Sequence, residues 1–276
     1  MKPARQRSDR LSTTVYNYQE NIMTNQTNNI NNTNHINNTN HINHINQTNH
    51  TNHTNHINHI NKTAIITGAS RGIGAAIAKK LASCGYNLSL CCRNSSDRLK
   101  ALADELHCAY GIEVLCYTGN VGDFFFAKDM VANTISHFGH IDVLINNAGI
   151  SHIGLVIPYM VADKCGRILQ ISSVWGNVGA SCEVAYSACK GGINAFTKAL
   201  GKELAPSHIP VNAIACGVID TDMNLCFDET ERAELADEIP AGRLATACEV
   251  ADMAYSVITA PDYLTGQIIT FDGGWI

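Results

Sequence analysis

The sequence has no excess of basic residues: nineteen Lys and Arg stand against twenty-four Asp and Glu, a net charge of -5 with a pI near 6.2. That excludes the electrostatic footprint by which nucleic acid or an anionic membrane surface is held. No apolar run approaches the roughly 18 residues a membrane span needs. The opening MKPARQRSDRLSTT is basic but lacks the apolar core of a secretory signal. Eleven cysteines, an odd number, are scattered through expected helices and strands (Cys84, Cys91, Cys116, Cys189, Cys216) without a single C-x-x-C pair. That pattern fits reduced thiols and not a disulfide framework. The expectation is a soluble, cytoplasmic protein with neither nucleic acid nor membrane as partner.

The first sixty residues also lack an alternating apolar face and hold almost no aromatics. They are near-triplet repeats of Asn, Thr, His and Ile, as in NHTNHTNHINHIN. Such a segment cannot bury enough surface to offset chain entropy, so residues 1–61 are expected to be a disordered tail. Seven histidines (His35, His41, His44, His50, His53, His56, His59) recur there at spacings of three or six. Imidazole clusters of that kind admit weak Ni or Zn binding, while the plainer reading is a solvated extension. Strict repetition running straight into the first strand at Lys62 is also what repeat DNA read upstream of the true start produces. No metal site is assigned.

Residues 62–276 are expected to form one domain. Apolar runs bounded by Gly and Asn alternate with segments of helical period, the pattern of a doubly wound α/β fold with a Rossmann-type parallel sheet. Seven strands are expected, at Thr63–Thr67, Asn87–Cys92, Val114–Thr118, Asp142–Asn146, Arg167–Ser172, Pro210–Ala215 and Gln267–Asp272. Helices are expected at Ile73–Cys84, Ser96–His107, Asp123–Phe138, Glu183–Ala205 and Glu249–Thr259. The polar, acidic stretch from Asp220 to Gly242 reads as a loop beyond a strand end, where such sheets place substrates.

Directly after the first strand stands TGASRGIG, in which Gly68, Gly72 and Gly74 lead into a helix. Glycines there let the backbone turn tightly and approach a phosphate, and the helix N-terminus offers free N–H groups to a pyrophosphate. Ser70, Arg71 and Ile73 complete that loop. The second strand then ends in LCCRNSSD, with Arg93 where an NAD-selective site usually carries an acid for the ribose 2′-hydroxyl. A guanidinium pairs with a 2′-phosphate in forked geometry, so Arg93 with Arg71 points to NADPH.

Further along, Tyr186 and Lys190 lie four apart in a helical segment and so share a face. A free phenol has a pKa of about 10, too high for efficient proton transfer near neutrality. A neighbouring cation favours phenolate, so Lys190 is expected to lower that value. Ser173, at the end of the fifth strand, is placed to hydrogen-bond the same substrate oxygen.

These residues, in this order, resemble the short-chain dehydrogenase/reductase family over Lys62–Ile276. The motifs that carry the resemblance are TGASRGIG, the N-N-A-G run at Asn146–Gly149, Ser173 thirteen residues before Tyr186, YSACK, and the closing YLTGQIITFDGGWI. Within the family, ISSVWG, the tyrosine helix and DGGW look like the 3-oxoacyl-[acyl-carrier-protein] reductases. IACGVIDTDM and the closing stretch are similar to the reductase acting on the 5-aminopentanone modification of elongation factor P. The resemblance implies a Ser173–Tyr186–Lys190 site and a nicotinamide cofactor placed by Lys190 through its ribose. It also implies further cofactor contacts from Asn120 and Val121, from Asn147, Ala148 and Gly149, and from Gly217, Ile219 and Thr221. The substrate implied is a small ketone or 3-oxoacyl thioester, delivered by acyl carrier protein or elongation factor P, and the assembly a homo-oligomer. Fatty acid biosynthesis is the expected setting.

The chain departs from the family between the fourth and fifth strands. Gly149 and Ser173 are twenty-four residues apart, about half the family's usual spacing. The missing piece is the first half of a helix that in relatives carries an asparagine steadying a proton relay to the lysine, and no residue here is seen to replace it. Seventeen residues, Ile150 to Gly166, must make the crossover. A parallel crossover needs a dozen or more, so the fold closes, with Pro158 tolerable near a first helical turn. The short helix is expected to expose apolar surface and narrow the face used for subunit pairing. Cys216 replaces the proline that usually precedes glycine after the sixth strand, and the tyrosine helix is followed by APSHIP, which lacks the basic residues that often dock acyl carrier protein.

Overall fold

The computed structural model describes residues 61–149, 152–224 and 228–276. The repeat tail, with its expected disorder and its histidines, lies outside the described residues.

Strands β1 (Thr63–Thr67), β2 (Asn87–Cys92) and β3 (Val114–Thr118) alternate with helices α1 (Gly72–Ser83), α2 (Ser96–Tyr110) and α3 (Phe124–Phe138). Then follow β4 (Val143–Asn146), a 3-10 turn at Ile153–Leu155, α4 (Ile157–Asp163), β5 (Arg167–Ser173), α5 (Trp175–Val178) and α6 (Val184–Leu204). The chain ends with β6 (Val211–Cys216), β7 (Ile219–Asp220), α7 (Glu229–Glu238), β8 (Ala245–Thr246), α8 (Ala247–Ile258) and β9 (Ile268–Phe271). Seven strands form one parallel sheet in the order β3-β2-β1-β4-β5-β6-β9, while β7 and β8 pair separately. This is a Rossmann-type doubly wound fold.

The strands read as continuous apolar runs because both faces of the sheet are covered. Side chains alternate between faces along each strand. Ala64, Ile66, Val143 and Ile145 pack with Ile77, Leu81, Leu99 and Val250 of α1, α2 and α8. Ile65 and Leu144 point the other way, onto Met130 of α3, Met160 of α4 and Leu200 of α6. Strand order reverses between β1 and β4, and a crevice opens there beyond the carboxyl ends of the strands.

The short crossover closes. Val143 and Arg167 begin a four-residue parallel register, and Pro158 falls in the first turn of α4, where its missing N–H costs nothing. Ile153, Val156 and Met160 are buried, each contributing about 1.5–3 kcal/mol by leaving water. Lys164 ends the helix in a left-handed conformation, φ 49°.

Helix α2 runs three residues past its expected end, to Tyr110, and α8 starts two residues early, at Ala247, while the other expected ends shift by at most one residue. Two further expectations need correction. The Asp220–Gly242 stretch is not one loop: it holds β7, a 3-10 turn and the ten-residue α7. That helix buries no residue and has no apolar stripe, so periodicity misses it. Its capping box was legible all the same, with Asp228 accepting from Thr230 and Glu231 N–H groups and Glu231 accepting from the Asp228 N–H. The second is α5, a single turn directly after Ser173.

Candidate active site

The glycine loop after β1 is tight because its atoms leave no room for side chains. A Cβ on Gly74 would sit 2.3 Å from the Gly68 carbonyl oxygen, and one on Gly68 would sit 2.8 Å from Asn147 Nδ2. That amide is what pins the loop. Asn147 Nδ2 donates to the carbonyls of Thr67 and Gly68 at 3.1 Å each, and the Asn147 and Ala148 N–H groups donate to Thr67 Oγ1 at 3.0 Å. Two strand ends flanking the reversal are thereby locked together. No side-chain hydrogen bond caps α1 at Arg71, which leaves first-turn N–H groups for an anion.

Two cavities share Gly68, Arg71 and Ala148 in their walls. The larger, about 740 Å³, is lined by Gly72, Ile73, Asn147, Ser173, Tyr186 and Lys190, and by Gly217, Ile219 and Thr221 after β6. The smaller, about 370 Å³, is lined by Ser70, Arg93, Asn120 and Val121. All the expected site residues but two therefore line these two adjoining cavities. The exceptions are Gly74, which lies beneath the loop and serves its packing against α1, and Gly149, which lines neither cavity.

Within the larger cavity, Tyr186 and Lys190 share a face of α6 and Ser173 lines the same wall, its hydroxyl accepting the Trp175 N–H at 3.2 Å. Lys190 Nζ stands 5.5 Å from the Tyr186 ring centroid and donates to the Ile171 carbonyl at 3.0 Å. The expected lowering of the phenol by the ammonium is not found. Burial pushes Tyr186 above its usual value, opposed by the Ser173 hydrogen bond, and burial pushes Lys190 below its own. Desolvation of both groups outweighs their mutual effect, because the ammonium faces a backbone carbonyl and not the phenolic oxygen. Cys216, in the same wall, is pushed up to about 12 by burial, with Lys190 opposing.

Sequence reasoning missed other parts of the wall of the triad's cavity. Trp175 of α5 and Trp275 near the C-terminus meet edge to face, centroids 5.0 Å apart, and both line the cavity with Glu183 and Leu235 of α7. Asp272 turns the last residues inward by accepting the N–H groups of Gly274 and Ile276, both at 3.0 Å. DGGW was visible as a motif, but nothing local says that its tryptophan reaches a residue a hundred positions earlier.

The groove fits a nicotinamide dinucleotide. It pairs a glycine loop that side chains would fill with an uncapped helix N-terminus. The second lobe has two guanidinium-bearing residues, Arg71 and Arg93, and no acid in its wall. Arg71 also lies 3.8 Å from Asp222, an exposed pair that solvent screens.

Comparison with known proteins agrees. Residues 62–155 match the short chain dehydrogenase family profile, and residues 151–276 match that of Enoyl-(Acyl carrier protein) reductase. An uncharacterized oxidoreductase of Bacillus subtilis, YmfI, is 39% identical over 241 residues, covering 78% of this chain and 98% of that protein. The 3-oxoacyl-[acyl-carrier-protein] reductase FabG of Staphylococcus aureus is 33% identical over 240 residues, covering 77% and 97%. Among solved structures, YwfH, an NADPH-dependent reductase involved in bacilysin biosynthesis, superposes with a TM-score of 0.72 at 26% identity, covering 78% of this chain and 98% of its own. The chain belongs to the short-chain dehydrogenase/reductase family of oxidoreductases, which use a nicotinamide dinucleotide.

Proposed function

We propose that this protein is an NADPH-dependent reductase that converts a ketone, of the 3-oxoacyl thioester class or a close analogue, to an alcohol. The observation that carries the reading is that Ser173, Tyr186 and Lys190 line one cavity together with Gly68 and Gly72 of the glycine loop. Gly68, Arg71, Gly72, Ile73, Asn147 and Ala148 hold the dinucleotide, with Arg93 and Arg71 toward the 2′-phosphate and Lys190 at the nicotinamide ribose. When bound, NADPH supplies a hydride to the carbonyl carbon.

The chain's own residues handle the proton. Ser173 donates to the carbonyl oxygen and orients it. Tyr186, kept protonated by burial, gives its phenolic proton to that oxygen as the alcohol forms. The phenolate left behind is stabilised by the Lys190 ammonium, 5.5 Å from the Tyr186 ring centroid, whose positive charge favours the charged form. Preference for NADPH is supported by the acid-free wall around Arg93 and by the NADPH-dependent neighbour.

The test is direct: purified protein is mixed with NADPH and an acetoacetyl thioester, and cofactor absorbance is followed. Turnover is expected. Cofactor binding without absorbance loss would overturn the reading for that substrate and leave a dinucleotide-binding protein impaired by its short crossover.

A second substrate reading is supported by the rim. Glu183 lines the cavity, and α7 beside it carries Glu229, Glu231, Glu234, Asp237 and Glu238 against one Arg232. Negative charge there suits a ketone bearing an amine, as in 5-aminopentanone-modified elongation factor P, better than an acidic carrier protein. Turnover of an aminoketone in preference to the acyl thioester distinguishes the two.

A further inference from the structure

Beneath the cavity runs a chain of side-chain hydrogen bonds that the chemistry above does not use. Ser172 Oγ donates to Asn194 Oδ1 at 2.6 Å, Asn194 Nδ2 donates to Asn177 Oδ1 at 2.9 Å, and Asn177 Nδ2 donates to Thr270 Oγ1 at 3.4 Å. Asn194 and Ser172 are buried, so each depends on the other for satisfaction. Tyr186, Lys190 and Asn194 follow one another at four-residue steps and share one face of α6. Asn194 is the inner end of that row.

What Asn194 joins is specific. Ser172 adjoins Ser173 on β5, and Asn177 belongs to α5, the single turn that carries Trp175 into the cavity. A four-residue helix cannot hold itself in place. Here it is seated against α6 so closely that a Cβ on Gly176 would lie 2.7 Å from the Lys190 carbonyl carbon and 2.8 Å from Asn194 Nδ2. Its N-cap residue, Val174, supplies no side-chain bond, and the Ser173 hydroxyl accepts the Trp175 N–H at 3.2 Å.

We infer that Asn194 is a positioning residue that, through Asn177, fixes the α5 turn and so holds the Trp175–Trp275 pair in the wall of the cavity that contains Tyr186. The inference rests on the reductase reading of the cavity. Its effect is on substrate and not on cofactor, because the tryptophans it holds line the lobe with Tyr186 and neither lines the lobe with Arg93.

The protein contains two tryptophans, and both are in this wall, so intrinsic tryptophan emission reports on it alone. The experiment uses the full chain with Asn177→Ala, Asn194→Leu and the double variant, measuring ketone kinetics, NADPH affinity and tryptophan emission. Each single change is expected to lower kcat/KM for the ketone about tenfold, the value of one hydrogen bond. Emission should shift to the red with NADPH affinity unchanged, and the double variant should add nothing to Asn194→Leu. Asn177 is exposed, so its variant keeps the test sharp if Asn194→Leu fails to fold. Unchanged emission and kinetics in Asn177→Ala would overturn the inference, as would additive losses in the double variant. A wild-type protein that turns over no ketone while binding NADPH defeats the reductase reading instead, and Asn177→Ala with unmoved emission would still defeat the positioning role by itself.

Discussion

The two sides of the groove are built by different means. The nucleotide side, from β1 to β3 with the ends of β4, is made of backbone: a glycine loop, an uncapped helix N-terminus and an amide that grips two carbonyls. Its parts lie in consecutive β-α units. The substrate side is made of side chains gathered from distant places, with Trp175, Glu183, Leu235 and Trp275 meeting in one wall. A backbone device tolerates no change of size and little change of sequence, whereas an assembled wall can vary in chemistry while the triad beside it stays the same. On the reading proposed above, cofactor class is set on one side and substrate choice on the other.

The sharpest way to break this division is at the triad, where the sides meet. Tyr186→Phe removes the proton donor and is expected to lower kcat by about 10²–10⁴-fold, leaving NADPH affinity intact. Because burial holds the phenol above its usual value, reduction by the native protein should be steady through neutral pH and decline only as alkaline pH deprotonates Tyr186. A kcat/KM profile that falls on acidification instead would show that another group is the acid.

On the nucleotide side, Gly74→Ala should act without touching the cofactor. Its Cβ, 2.3 Å from the Gly68 carbonyl oxygen, must push the loop off α1, and overpacking of this kind costs about 1–3 kcal/mol. NADPH affinity is expected to fall by about tenfold or more, read by cofactor titration. Arg93→Ser should have a smaller and more selective effect. Losing a charge-assisted hydrogen bond of about 1.5–3 kcal/mol weakens NADPH by roughly 10–100-fold while NADH is unaffected. Equal loss for both cofactors would place Arg93 away from the 2′-phosphate.

The same division explains what could be read from the chain beforehand. The strands, the glycine loop, Arg93 and the Tyr186–Lys190 pair were legible because each is a local pattern: an apolar run, a turn, a spacing of four. Ser173 was legible because it ends a strand. Trp275 was not assigned to the site, since its partner Trp175 lies in α5, a hundred positions earlier, and only the folded chain brings them together. Helix α7 was missed because it packs no apolar face, although its capping box stood in plain view at Asp228–Glu231. The direction of the Tyr186 shift was misread for a similar reason. A spacing of four shows that phenol and ammonium are neighbours, but not that the ammonium faces Ile171 or how much water each has lost.

The last and smallest expected effect lies outside the groove, at the capping box of α8. Thr246 and Glu249 cap each other, and Arg243 grips the Glu249 carboxylate through both guanidinium nitrogens. The Arg243 hydrogen bond, with help from Thr246, holds the Glu249 carboxyl at about 2, below its ordinary 4.5. A depressed folded-state value means that folding favours the ionised form. The stabilisation is therefore complete above about pH 4.5 and is lost progressively as pH falls toward about 2. The pair is exposed, so solvent screens it and its contribution is modest. Glu249→Gln should lower the Tm slightly at neutral pH, leave ketone and cofactor kinetics unchanged, and flatten the acid limb of the stability curve. A variant whose Tm drops equally at pH 7 and pH 3 would show that the cap acts by shape and not by charge.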